Sequence, residues 1–138
     1  MLNLQITWGP FLAVALLNFV LGWLWYSPLL FAGPWAKALK IKMGKMDKKA
    51  KQKMPYLFAG AIFSSLAISF TLQILTQSLN MTSFGSGVIV GLLTWLGFSV
   101  PTTLGSLWEG KPTIVVIINL GNSIVAYSLM GGILASWH

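Results

Sequence analysis

Four apolar runs, each long enough to cross a bilayer, leave this chain few ways to fold. They cover residues 6–31, 56–79, 84–107 and 113–137. A helix rises 1.5 Å per residue, so about 20 residues span a hydrocarbon core of ~30 Å. A soluble bundle would carry polar stripes at helical period, whereas these runs are apolar all round. Charged residues make up 8% of the chain and hydrophobic ones 56%, against roughly 25% charged in a soluble domain. The sequence therefore predicts an all-α membrane protein, a single domain (1–138) of four transmembrane helices.

The lysines set the expected orientation. Lys37, Lys40, Lys42, Lys45, Lys48, Lys49, Lys51 and Lys53 all fall in the connection 32–55; Lys111 lies in the connection 108–112, and there is no arginine. Basic connections stay on the cytoplasmic side. Four crossings then place both termini and the turn 80–83 outside, in a multi-pass protein of the plasma or inner membrane. The amino end carries no positive charge before a long apolar run, unlike a cleaved signal peptide, so the first span is expected to be retained. Asn80-Met81-Thr82 matches a glycosylation sequon, but in a tight turn beside the membrane it reads as a chance match.

The basic connection has a period of its own. From Pro34, a residue suited to a first helical position, Trp35, Leu39, Met43, Met46, Ala50 and Met54 recur at steps of three and four. Lys37, Lys40, Lys45, Lys48 and Lys51 point elsewhere. That is the pattern of a short basic helix lying in the interface, with a solvated loop as the alternative. Together with Lys49, these lysines are candidates to meet anionic lipid headgroups or a partner. The aromatics lie in the spans rather than between the lysines, so nucleic acid is not an expected partner.

The stretch from Ser27 to Lys37 partly echoes the one from Ser99 to Lys111. Pro28 precedes Trp35 by seven residues, as Pro101 precedes Trp108, and a proline opens the next span in each case. The two hairpins are thus candidate tandem repeats about an axis along the membrane normal. Each proline removes a backbone donor and frees the carbonyl four residues back, here those of Leu24 and Gly97. Ser27, Ser99, Thr102 and Thr103 are the nearby groups that could satisfy them. Trp25 and Tyr26 fall about 20 residues into the first span, at the inner interface where amphipathic rings gather.

Candidate chemistry is sparse. There is no cysteine, hence no thiolate nucleophile or Cys-ligated metal. The only acids are Asp47 and Glu109, and the only histidine is His138; no nucleophile–base set or ligand cluster can be assembled. The expectation is no enzyme, no cofactor and no metal. What remains in the spans is neutral: Asn18, Gln73, Asn119 and Asn122, with serines nearby. Such groups serve as interhelical hydrogen bonds, at about 0.6 kcal/mol each, or as the polar lining of a path. Small residues at fourfold spacing (Gly87 with Gly91, Ala61 with Ser65 and Ser69, Ser128 with Gly132) allow close helix contact, within the chain or in a homo-oligomer.

The motifs "WYSPLLF" (Trp25–Phe31), "GLLTWLGFSVPT" (Gly91–Thr102), "LWEGKP" (Leu107–Pro112) and "LMGGILASW" (Leu129–Trp137) occur in an order that spans nearly the whole chain. By these motifs the sequence resembles domain-of-unknown-function family 1761, small and mostly bacterial membrane proteins. The resemblance implies fold and membrane location and carries no activity. Two functions are left to weigh. One is a non-enzymatic, oligomeric membrane component engaging anionic lipid or a partner through its basic connection. The other is a small channel or transporter whose path between the hairpins is lined by Asn18, Asn119 and Asn122.

Overall fold

The computed structural model describes residues 1–40 and 48–137. Every regular element in them is helical: α1 (Trp8–Trp25), α2 (Ala32–Ala38), α3 (Lys48–Ser78), α4 (Phe84–Thr94), a π-helical turn (Trp95–Ser99), α5 (Val100–Gly105) and α6 (Thr113–Ser136). Helices over Trp8–Trp25, Lys51–Ser78, Phe84–Gly105 and Thr113–Ser136 are long and apolar enough to cross a membrane. Neighbouring spans run antiparallel. Residues 1–7, the turn after α3 and Trp137 therefore share one end, the far end. The connections bearing lysine share the other, the lysine end.

α6 is the hub of the bundle. Nine of its residues are buried, from Val115 near its start to Ala135 near its finish, because α1, α2, α3, α4 and α5 all pack on it. Its closest neighbour is α4, and the reason is glycine. A Cβ added to Gly87 would collide with the Gly131 carbonyl oxygen, and one on Gly91 with the Tyr127 carbonyl oxygen. Only glycine lets two helix backbones approach so closely, which maximises dispersion contact where no hydrophobic effect drives helices together. Gly132 in turn accommodates the ring of Phe84. The α4 start is fixed by a capping box, Ser83 and Ser86 exchanging side-chain and backbone hydrogen bonds.

The core closes at the far end. Val14, Leu72, Val90, Met130 and Leu134 are almost fully buried against one another. Along the α1–α3 seam the contact is polar and regular. Residues 65, 69, 73 and 77 of α3 lie on one face at fourfold spacing. Asn18 Nδ2 donates to Ser65 Oγ (2.8 Å), Ser69 Oγ donates to the Phe11 carbonyl (2.7 Å) and Gln73 Nε2 to the Thr7 carbonyl (3.0 Å). A longer contact joins Gln77 Nε2 to Thr7 Oγ1 (3.4 Å).

Three sequence expectations need correction. The first span does not run to residue 31: α1 ends at Trp25, and Pro28 sits in the turn that follows rather than kinking a helix. The freed Leu24 carbonyl accepts from Ser27 Oγ (2.6 Å) and from the Ser27 amide, so the chain stops where proline forbids another turn.

Second, the basic helix is shorter than the pattern 34–54 suggests. α2 ends at Ala38, and Lys40 takes a left-handed conformation (φ 57°) that terminates it. Lys42, Met43, Lys45 and Met46 lie outside the described residues. Residues 48–54 are the opening turns of α3. Third, Pro55 does not open the second span but lies inside α3. At 31 residues that helix is about 46 Å long, so its first turns extend past a ~30 Å core.

Candidate functional site

The aromatic segment after α1 folds back onto the hub. Trp25 lies flat enough on α6 that its ring fills the space a side chain at Gly121 would need. Its Nε1 donates to the Ile118 carbonyl at 2.9 Å. One residue on, the Tyr26 hydroxyl donates to Asn119 Oδ1. Phe31 stacks at 4.7 Å on Trp25 and Trp35 packs edge-on at 5.6 Å against Tyr26. Ser27, Ala32 and Ala36 are buried beneath them. The segment is thus a latch: two side-chain hydrogen bonds tie the end of α1 to α6, and two ring contacts hold the segment itself together.

The presumed echo of this element behaves differently. At Pro101 the helix continues, because the preceding π-helical turn (Trp95–Ser99) widens the ladder so that the Val100 amide reaches the Trp95 carbonyl. Thr102 Oγ1 bonds the Phe98 carbonyl (2.7 Å), not that of Gly97. Trp108 is 95% exposed, whereas Trp35 is half-buried on Tyr26. The latch on α6 in this half comes instead from Trp95, whose Nε1 donates to Ser123 Oγ (2.9 Å). The spacing of the two prolines and tryptophans is shared; their contacts are not.

Beside the latch lies a cleft of about 420 Å³ between α1 and the lysine-end half of α3. It exists because α3 leaves the bundle. Every residue from Pro55 to Ser64 is exposed, while about two to three turns further on Leu72 and Thr76 are fully buried. Phe19, Trp23, Met54, Leu57 and Phe58 form its apolar walls. Asn18, Tyr26, Ser64, Ser65 and Asn122 supply the polar groups, and no charged residue lines it. Towards the far end it stops against the closed apolar core.

The four in-span amides have separate fates. Gln73 is buried in the α1–α3 seam, Asn18 is bonded to Ser65 at the cleft edge, and Asn119 is held by Tyr26. Asn122 borders the cleft with its Oδ1 buried and unpartnered. Gln73 Oε1 and Gln77 Oε1 are likewise buried without a donor, at the far end. Sequence reasoning named Asn18 and Asn122 but had no signal for the cleft, since lipid-facing and bundle-facing apolar residues look alike. Ser64 and Ser65 are among the serines it notes beside those amides; it does not single out Phe58.

The lysines Lys37, Lys40, Lys48, Lys49 and Lys51 are exposed at the lysine end, with Lys53 and Lys111; Lys45 is outside the described residues. Among the described residues the single ion pair joins Lys111 Nζ to Glu109 Oε2 at 3.8 Å, both exposed. The described residues contain no cluster of three histidine or acidic residues that could hold a metal.

A family model described as "Protein of unknown function (DUF1761)" matches residues 10–135, nearly the whole chain, and the protein belongs to that family. No curated protein and no solved structure matches it.

Proposed function

For this member of the DUF1761 family, we propose a non-enzymatic, multi-pass membrane protein that engages anionic lipid headgroups through its lysine end. One observation carries the reading: every described lysine is exposed at the same end of the bundle, and Glu109 is the only acid described there to offset them. A basic residue beside an anionic leaflet contributes about 1 kcal/mol, so a cluster of this size holds that end at the membrane surface. The same cluster orients the protein with its lysine end cytoplasmic, in a plasma or inner membrane. Much of the small-residue surface is used inside the chain, Gly87 and Gly91 by α6, Ser65 and Ser69 by α1 and Gly132 by Phe84; a homo-oligomer would form through the exposed Gly60, Ala61 and Ser64 of α3.

Lipid binding is tested by native mass spectrometry of the detergent-released protein with phosphatidylglycerol against phosphatidylcholine. Replacing Lys48, Lys49, Lys51 and Lys53 with glutamine should erase most of the preference for the anionic lipid; an unchanged preference refutes the reading. The chain has no native cysteine, so a single Lys51→Cys reports orientation. A membrane-impermeant thiol reagent added outside intact cells should leave it unmodified, and labelling there reverses the assignment.

Transport has one supporting feature, the cleft that reaches Asn18 and Asn122. It ranks second because Asn119 is closed off by Tyr26 and the core of Val14, Leu72, Val90, Met130 and Leu134 fills the bundle beyond. A path needs lining at successive depths. Solute uptake into proteoliposomes that Asn122→Leu abolishes would put transport first.

A further inference from the structure

α3 builds both the lysine end and one wall of the cleft, and its register joins the two. Met54, Leu57, Phe58, Ala61, Ser64 and Ser65 line the cleft; at about 100° per residue they form one face about 120° wide. Met54 marks the lysine end of that wall and is the only residue from Lys51 to Ser64 that is not exposed. The lysines of the opening turns all avoid this face. Lys51 and Lys53 fall just outside its two edges, by about 20° on either side, whereas Lys48 and Lys49 lie about 80° and 60° beyond them. Along the axis Lys51 and Lys53 are within about 5 Å of Met54. The mouth of the cleft therefore carries one lysine on each side.

Charge decides what such a mouth accepts. No charged side chain lines the cleft, so an ionised head would be unpaired inside it and has to stay at the mouth. There it meets Lys51 and Lys53, both exposed, while the one acid among the described residues, Glu109, is with Lys111. A cationic head is repelled, and a neutral one gains nothing from the pair. Deeper in, Asn18 is bonded to Ser65 and Tyr26 to Asn119, and the aromatic and aliphatic walls suit hydrocarbon. Trp23 and Leu57 are 66% and 63% exposed, so the cleft is open along its side where a bilayer lies. A lipid with two chains can seat one of them and leave the other outside.

We infer that the α1–α3 cleft seats one anionic glycerophospholipid, its phosphate held between Lys51 and Lys53 and one acyl chain lying in the cleft. The site rests on the lysine end engaging anionic headgroups, and it narrows that surface to one place built by two of its lysines.

The test uses the full chain in detergent, titrated with palmitoyl-oleoyl phosphatidylglycerol and followed by native mass spectrometry. One saturable adduct is expected before weaker, additional ones. A basic residue beside an anionic headgroup is worth about fivefold, so Lys51→Gln with Lys53→Gln should weaken the first adduct about thirtyfold. Lys48→Gln with Lys49→Gln removes the same charge and should change it by about twofold at most. Gly22→Leu keeps every lysine and fills the cleft from α1. A Cβ at Gly22 meets nothing within 4 Å, so no clash opposes folding, and the first adduct should be lost while the weaker ones remain. Equal losses from the two lysine pairs, a first adduct indifferent to Gly22→Leu, or its displacement by equimolar oleate would overturn the seated site and leave the lysine surface standing. Failure of the surface itself reads differently, as an anionic preference unchanged when all four lysines are glutamine.

Discussion

The α4–α6 hairpin and the α1–α3 hairpin draw on the same apolar residues and pack in opposite ways. In the first, backbones touch at Gly87, Gly91 and Gly131 along the far half. In the second, four α3 side chains reach α1 from Ser65 onward, and before Ser65 the helices part to leave a cleft. Glycine contact is rigid, because dispersion between backbones has no slack and any added atom must displace a helix. Side-chain hydrogen bonds hold at a longer distance and can be lost one at a time. The difference places a rigid frame in one half of the molecule and an accessible surface in the other.

The largest effect should follow from breaking the frame. Gly91→Leu puts a side chain into the Tyr127 backbone, and neither helix can yield without losing the contact around Val90 and Met130. Overpacking on this scale destabilises by about 3 kcal/mol or more. Thermal unfolding in detergent, followed by helical signal or by loss of the monodisperse peak, should show the variant melting far below the parent. A parent-like melting temperature would mean the α4–α6 contact is not the frame.

Next comes the latch, which joins the two hairpins through α6. Trp25→Ala removes the indole hydrogen bond to Ile118, the stack on Phe31 and the contact over Gly121. Truncating a packed tryptophan costs about 3–5 kcal/mol in a soluble core; half-burial here reduces that to about 2 kcal/mol. Tyr26→Phe loses only the bond to Asn119 and should cost ~0.6 kcal/mol. If the two variants melt alike, the Tyr26 hydroxyl bond and not the indole packing carries the latch.

Much of this frame was legible in the sequence, and the reason is local. The spans follow from run length, and the shared end of the lysines from the parity of four crossings. Ser27 could be named as partner of the Leu24 carbonyl because both lie within one turn of Pro28. What could not be read was pairing across the bundle. Trp25 meets Ile118 and Tyr26 meets Asn119, each 93 residues away, and no periodicity within one helix encodes a partner on another. The register 34–54 misled because an amphipathic pattern is the same whether a helix lies in an interface or continues into a span. Nor could the sequence show that α3 stands clear of the bundle before Ser65, since lipid and protein interior select the same side chains.

The seam offers a finer test of that comparison. Ser69→Ala removes a fully buried donor to the Phe11 carbonyl, whose backbone partner in α1 remains. A loss near ~0.6 kcal/mol is expected, about a fifth of the glycine effect, measured by the same unfolding series. A loss as large as that of Gly91→Leu would show the two hairpins to be equally rigid.

The smallest expected effect is the most informative about the open half. Gly60 lies on the exposed stretch of α3, and a Cβ there meets nothing within 4 Å. If this stretch faces lipid, Gly60→Leu places an apolar side chain in hydrocarbon and replaces the poorest ordinary helix former with a good one, worth up to about 1 kcal/mol. The melting temperature should stay the same or rise slightly, and the mass of the detergent-released particle should not change. If α3 is instead covered by a second copy through Gly60 and Ser64, a leucine there obstructs the contact, and the particle becomes lighter as stability falls. That outcome would turn the apparent looseness of the α1–α3 hairpin into an interface and remove the lateral opening through which the cleft is reached.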